Sequence, residues 1–218
     1  MIEFDSQWTE GERFGRNEWP DSITKNEPMF FQMPLAKAYA NGGPITRSFL
    51  NYELIERAET EPAFFDSRVH MLMPGWYPCI PGWRHDDVER SRADGQPNYW
   101  TASYRPTFDI GLAGSAVCHT DAVAGHFVLP EVEDGVIYKA WHPMIEAQIE
   151  ADWNGTYACG VPYGRHILMD DRTLHQGTAC IKGGWRWFGR ITWGNPMRPA
   201  GELRRQTQVY LSHPMEGW

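Results

Sequence analysis

The alternation of apolar and polar positions changes character near residue 68. Residues 1–33 mix polar side chains with scattered aromatics and hold no sustained period, which predicts an irregular arm. Pro34 then suits the start of a short helix, Leu35 to Ala40, stopped by Asn41-Gly42-Gly43. Ile45, Phe49, Tyr52 and Ile55 recur at helical spacing while Arg47, Glu53, Glu56 and Arg57 take the other positions, so a second helix is expected from Ile45 to about Ala58. From Arg68 onward the chain breaks into short apolar or aromatic runs, RVHMLM, NYWTASY, TFDIGLA, GHFVL, GVIYKAW, RHILM and WRWFGRITW, separated by Gly, Pro, Asn and Asp. That texture predicts strands of an antiparallel sandwich or barrel. PMIEAQIEADW, Pro143 to about Trp153, reads as a helix opened by proline and set between strands. With no linker and no internal repeat, the expectation is one domain of 1–218. Residues 1–67 form an arm and buttressing helices, and 68–218 a jelly-roll, cupin-like core, mostly β with flanking helices.

Composition narrows the functional classes. Of 218 residues, 42% are hydrophobic and 14% aromatic, enough to build a core, and no 18-residue apolar run occurs. Lys and Arg number 20 against 28 Asp and Glu, a net charge of −8. This balance argues against a general grip on nucleic acid or an anionic membrane, both of which need surplus cations. Cys79, Cys118, Cys159 and Cys180 form no C-x-x-C pair, and the first fifteen residues lack the basic and apolar regions of a signal peptide. Reduced thiols in a cytoplasm follow as the expectation.

The stretch MLMPGWYPCIPGWRHDD, residues 71–87, carries the first candidate chemistry. In a strand, the two-residue spacing of His85 and Asp87 puts both on one face, with Asp86 turned away. Downstream, PYGRHILMDDRTLHQG, residues 162–177, delivers His175 to a turn. Two histidines and a carboxylate on one face of an octahedron leave three positions open, the arrangement of Fe(II) sites that take a chelating cosubstrate and O₂ together. In WRWFGRITW, Arg186, Phe188, Arg190 and Thr192 share a face. Arg186, eleven residues after His175, is placed to grip the distal carboxylate of a five-carbon oxo-diacid bidentately, and Thr192 offers a hydroxyl. Arg190 competes for the same role, since strand parity gives it the same face.

These features resemble the iron(II)- and 2-oxoglutarate-dependent dioxygenases, in particular the phytanoyl-CoA hydroxylase-like and prolyl-hydroxylase-like branches. The resemblance covers roughly residues 68–193. It rests on a strand with Pro81-Gly82 before Trp83, His85 and Asp87, on Gly164 and Asp170 leading to His175-Gln-Gly, and on Arg186. It implies a double-stranded β-helix, Fe(II) held by His85, Asp87 and His175, and hydroxylation coupled to decarboxylation of 2-oxoglutarate to succinate. Residues 1–67 find no counterpart. A second His-x-Asp, His119-Thr120-Asp121, is the competing ligand pair but lacks the P-G-W-x-H approach. His166 in PYGRH approaches the second motif of small cupins, whose first motif this chain does not supply. Eleven tryptophans raise a third class, a jelly-roll carbohydrate-binding module, although packing accounts for most such rings. Trp76, Trp83 and Trp100 are the ones expected beside a pocket, which itself should be walled partly by residues before 68. The reading is a Fe(II), 2-oxoglutarate-dependent oxygenase of a small molecule. The alternatives are a metal-dependent cupin without 2-oxoglutarate and the carbohydrate-binding module.

Overall fold

The computed structural model describes residues 1–16, 19–99, 102–118, 120–133, 135–151, 157–197, 199–205 and 207–211, with backbone alone for 157–159. The N-terminal arm is not irregular. Strands β1 (Ile2–Ser6) and β2 (Trp8–Arg13) open the chain. In β1, Ile2, Phe4 and Ser6 are buried while Glu3 and Asp5 are exposed, a strand period too short to stand out from the surrounding polar residues. A short helix α1 (Asp21–Thr24) and strand β3 (Phe30–Phe31) follow, then α2 (Leu35–Asn41) with Pro34 as its N-cap.

The second predicted helix is two helices, α3 (Pro44–Phe49) and α4 (Tyr52–Thr60). Leu50 leaves helical geometry, and the Asn51 side chain accepts from Leu54 N at 2.9 Å, which starts α4 afresh. Phe49 and Leu50 are both fully buried at the break. Helix α3 is itself capped from a distance. The buried carboxylate of Glu27 accepts from Ile45 N at 2.7 Å, Thr46 N at 3.2 Å and Thr46 Oγ1 at 2.7 Å, in a position that favours negative charge. Glu27→Ala leaves these donors buried without a partner. The expected cost is about 3 kcal/mol, a Tm lower by roughly 10 °C in a thermal melt, with Glu27→Gln recovering part of it.

The remaining elements are β4 (Ala63–Leu72), β5 (Thr107–Gly114), β6 (Thr120–Leu129), α5 (Ile137–Ala151), β7 (Tyr157–Gly160), β8 (Arg165–Asp170), β9 (His175–Gly177), β10 (Gly184–Trp193) and β11 (Glu202–Leu203). One antiparallel sheet runs β2-β8-β5-β10-β4; the other runs β1-β6-β7, with β9 also on β6, and β11 pairs with β3. Arg84 bridges His175 and so extends the second sheet beyond β9. From β4 onward the chain passes from the first sheet to the Arg84 bridge in the second, back to β5, then to β6 and β7, to β8, to β9, and finally to β10. This winding between two sheets is the jelly roll the sequence predicts.

Two predicted strands are absent. Residues 98, 99 and 102–104 of NYWTASY lie in no strand, with 100 and 101 outside the described residues. GVIYKAW instead runs into α5, because Ile137, Tyr138, Trp141 and Ile145 are buried on one side of a helix against Phe4 and Phe127. Pro143 therefore sits inside α5 and not at its start. No helix among the described residues is long and apolar enough to cross a membrane.

Strand β10 is the centre of the design. Trp187, Ile191 and Trp193 face the helical side and pack with Phe49, Phe65 and Phe30 in the main core. Arg186, Phe188 and Arg190 face the other way, between the sheets.

Candidate active site

That inward face borders a cavity of about 400 Å³. Strand pairing aligns its walls: Arg186 stands opposite His70 of β4 and Gly114 of β5, Phe188 opposite Arg68 and Leu112, and Arg190 opposite Asp66 and Ile110. The facing sheet contributes Thr120, His175 and Gly177. Phe31, Gln32, Phe64 and Asp66 lie before residue 68, so the N-terminal part does wall the pocket. Parity holds for Arg186, Phe188 and Arg190 as expected. Thr192 does not line the cavity, and its Oγ1 is buried without a hydrogen-bond partner.

His175 arrives by a tight turn after β8. Thr173 N donates to Asp170 O at 3.1 Å and Arg172 N to Asp170 Oδ1 at 2.9 Å, closing the turn on the aspartate the sequence marked. His175 and Arg84 exchange both backbone hydrogen bonds at 3.1 Å. Residues so paired point their side chains to the same face, and both line the cavity. Parity at this point therefore differs from the sequence expectation. Residues 85–87 lie in no strand, 86 and 87 form a bend with Asp87 at φ 51°, and both Asp86 and Asp87 enter the cavity. Asp86 Oδ2 lies 3.5 Å from His175 Nε2, whereas Asp87 Oδ2 meets Arg190 at 3.2 Å.

His85 is held beside the cavity among aromatic rings. It packs edge-on against Phe4 at 4.8 Å, its Nδ1 lies 3.0 Å from Tyr99 Oη, and its Nε2 is buried without a hydrogen-bond partner among the described residues. Burial, and then the proximity of His175, lowers its pKa to about 3, so the ring is neutral. His175 Nδ1 lies 3.0 Å from Thr173 O, and since a carbonyl only accepts, Nδ1 is the donor and the ring's orientation is fixed. For Asp86, burial pushes the pKa up, but His175, Arg190 and Arg84 outweigh it and hold the carboxyl well below the usual range. In the arrangement described, no three His, Cys, Asp or Glu side chains among the described residues are gathered to hold a metal ion. His119 of the competing pair lies outside the described residues; Asp121 sits on β6 opposite Gly160 and Gln176.

Arg186 is the unusual group. It is 4% exposed, donates to Thr120 Oγ1 at 3.3 Å, leaves Nε without a partner, and has no carboxylate within salt-bridge distance among the described residues. Opposite it, Gly114 has φ 121°, and a Cβ there would come within 2.2 Å of Trp185 O, so glycine is needed where the strands close beside the arginine. Arg190, by contrast, is committed to Asp86 at 2.9 Å and Asp87 at 3.2 Å. Among the described residues five arginines line the cavity, Arg68, Arg84, Arg186, Arg190 and Arg204, against Asp66, Asp86 and Asp87. An acidic protein thus presents a surplus of two positive charges inside its cavity, a setting for anionic ligands.

Sequence reasoning missed Arg68, Arg204 and His70. Arg204 comes from the C-terminal segment, donating to Asp66 at 2.9 Å and lying over Phe31 at 4.5 Å. A preference of β4 for inward polar residues at 66, 68 and 70 was the available signal. Trp76 and Trp83 do not line the cavity, Trp83 being 3% exposed in the aromatic cluster, and Trp100 lies outside the described residues. His166 is bonded to Asp109 at 2.7 Å and stacked on Phe49 in the core.

His70 gives the site an acid sensitivity. Burial, then Arg186 and Arg68, lowers its pKa from an ordinary 6.5 to about 3. Between these values the unfolded chain binds a proton that the folded chain does not, so the stability is full above 6.5 and falls as pH drops toward 3. About 2 kcal/mol of it should be gone by about pH 5. Urea unfolding at neutral and acid pH checks this, and His70→Gln should show a shallower loss.

No protein-family model and no curated protein matches the chain. Solved structures do. The chain is similar to HygX from Streptomyces hygroscopicus with iron bound, at 10% identity and a TM-score of 0.41, over 88% of this chain and 83% of that one. It is similar to HygX with nickel, 2-oxoglutarate and hygromycin B bound, at 10% identity and a TM-score of 0.40, over 81% and 76%. EvdMO1 matches at 16% identity and a TM-score of 0.37, over 71% of this chain and 33% of that one. These are distant likenesses of shape.

Proposed function

We propose that this chain is a non-haem Fe(II), 2-oxoglutarate-dependent oxygenase acting on a small molecule in the cytoplasm. The observation that carries the reading is Arg186, a buried guanidinium with no carboxylate partner among the described residues, facing the cavity that also holds His175. A planar dicarboxylate end fits that fork, and the cavity's positive surplus favours it.

The donors present fit iron by type. His85 Nε2 is an orphaned, neutral nitrogen whose other nitrogen is held by Tyr99, and His175 has its Nδ1 fixed by Thr173 O, the pattern of ligating imidazoles. The carboxylate comes from the Asp86–Asp87 pair. The 3.5 Å approach to His175 favours Asp86 over the Asp87 of the sequence spacing. Fe(II), when bound, would supply the activation of O₂. The chain's own residues do the rest: Arg186 orients the cosubstrate, Arg190 holds Asp86 and Asp87 in place, and Phe188 and Ile110 exclude water from the inner wall.

Calorimetric titration with Mn(II) as a redox-inert stand-in tests the pairing of metal and cosubstrate. The reading expects one 2-oxoglutarate per chain in the presence of metal and binding weaker by about tenfold or more with EDTA. Metal binding without 2-oxoglutarate binding would favour the cupin instead.

A further inference from the structure

The cavity holds a second uncommitted cation. Arg68 points inward from β4, half-buried, and makes no hydrogen bond or ion pair within bonding distance among the described residues. Its neighbours are otherwise engaged: Arg204 with Asp66 at 2.9 Å, and Arg190 with Asp86 at 2.9 Å and Asp87 at 3.2 Å. Opposite Arg68 on β10 is Phe188, midway between Arg186 and Arg190. Arg68 is therefore a diagonal neighbour of Arg186 on one sheet face, at about 7 to 8 Å by sheet geometry. One dicarboxylate end on Arg186 leaves Arg68 still without an ion pair; burial, Arg204 and Arg190 oppose its charge, and Asp86 and Asp66 offset them only in part. A half-buried cation with no carboxylate within bonding distance among the described residues gains from an anion that a ligand supplies.

We propose that Arg68 reads an anionic group on the substrate, so that the substrate is a small organic acid, a carboxylate or a phosphate ester, with an apolar body. Resting on the oxygenase reading for its cosubstrate, this assignment gives the second positive charge of the cavity to the substrate and the first to 2-oxoglutarate. The apolar body lies against Phe31, Phe64 and Met197, which line the same cavity. Arg68 is a specificity residue and holds no reacting atom.

The test uses the full chain with Mn(II) and saturating 2-oxoglutarate, titrated calorimetrically with three phenyl probes of similar size: 3-phenylpropionate, phenyl phosphate and the uncharged 3-phenylpropanamide. The expected result is that at least one acid binds about tenfold or more tightly than the amide. In Arg68→Gln that preference disappears while the 2-oxoglutarate Kd stays within about twofold, and in Arg68→Lys part of it remains. Which acid wins distinguishes carboxylate from phosphate. Equal binding of acid and amide, no binding of either acid at millimolar concentration, or a preference that survives Arg68→Gln overturns the proposal. So does a weakened 2-oxoglutarate Kd in Arg68→Gln, which would make Arg68 part of the cosubstrate grip. If the wild-type chain binds no 2-oxoglutarate at all, the oxygenase reading fails. The same probes without 2-oxoglutarate then decide the Arg68 subsite by itself.

Discussion

Arg186→Ala should raise the Kd for 2-oxoglutarate by about 30-fold to several-thousand-fold while the Fe(II) Kd barely changes. Truncating one member of a buried charge pair costs on the order of 2 to 5 kcal/mol, because the ligand's carboxylate is left in a partly dry cavity without its cation. The structure adds a second signature. Arg186 has no carboxylate partner among the described residues, so its removal strands no anion there and should leave thermal stability equal or higher. Arg190→Ala should behave in the opposite way. It releases Asp86 and Asp87, and Asp66 at 3.9 Å, so the protein should melt earlier with a smaller change in 2-oxoglutarate affinity. Were Arg190→Ala the variant that loses 2-oxoglutarate, the anchor would be one pleat further along β10. Were neither to affect it, the cupin reading would replace the oxygenase.

The second large effect concerns the metal. His175→Ala should abolish binding of Co(II) or Mn(II) followed by visible absorption or electron paramagnetic resonance. Losing even an outer partner of a metal ligand costs about 10-fold to 100-fold, so losing a ligand costs more. Asp86→Asn should fall in the same range, because its oxygen is the one 3.5 Å from His175 Nε2. Asp87→Asn should retain most metal affinity and lose the 3.2 Å contact with Arg190. The reverse ranking of the two aspartates would restore the assignment suggested by the His-x-Asp spacing.

Much of this architecture is legible in the residues themselves. The alternation in WRWFGRITW places tryptophans on the core side and arginines on the cavity side of β10, and the polar turn after RHILM delivers His175 to its position. Other features depend on contacts between distant segments. Strands β1 and β2 are too short for their period to rise above a polar background, and their identity comes from pairing with β6 and β8. GVIYKAW satisfies a strand pattern and a helix pattern alike; burial against Phe4 and Phe127 selects the helix. The spacing of His85 and Asp87 assumes a strand where the chain bends, and one change of parity brings Asp86 to His175. Nothing local marks Glu27 as the cap of a helix eighteen residues on, or Arg204 as part of a cavity wall.

The central claim is that iron and 2-oxoglutarate bind together in this cavity, and anaerobic addition of Fe(II) and 2-oxoglutarate tests it most directly. A visible charge-transfer band should appear only when both are present, saturate at one equivalent of each, and fail to form in His175→Ala. Binding of metal and 2-oxoglutarate without that band, or a band that persists without His175, would contradict the account.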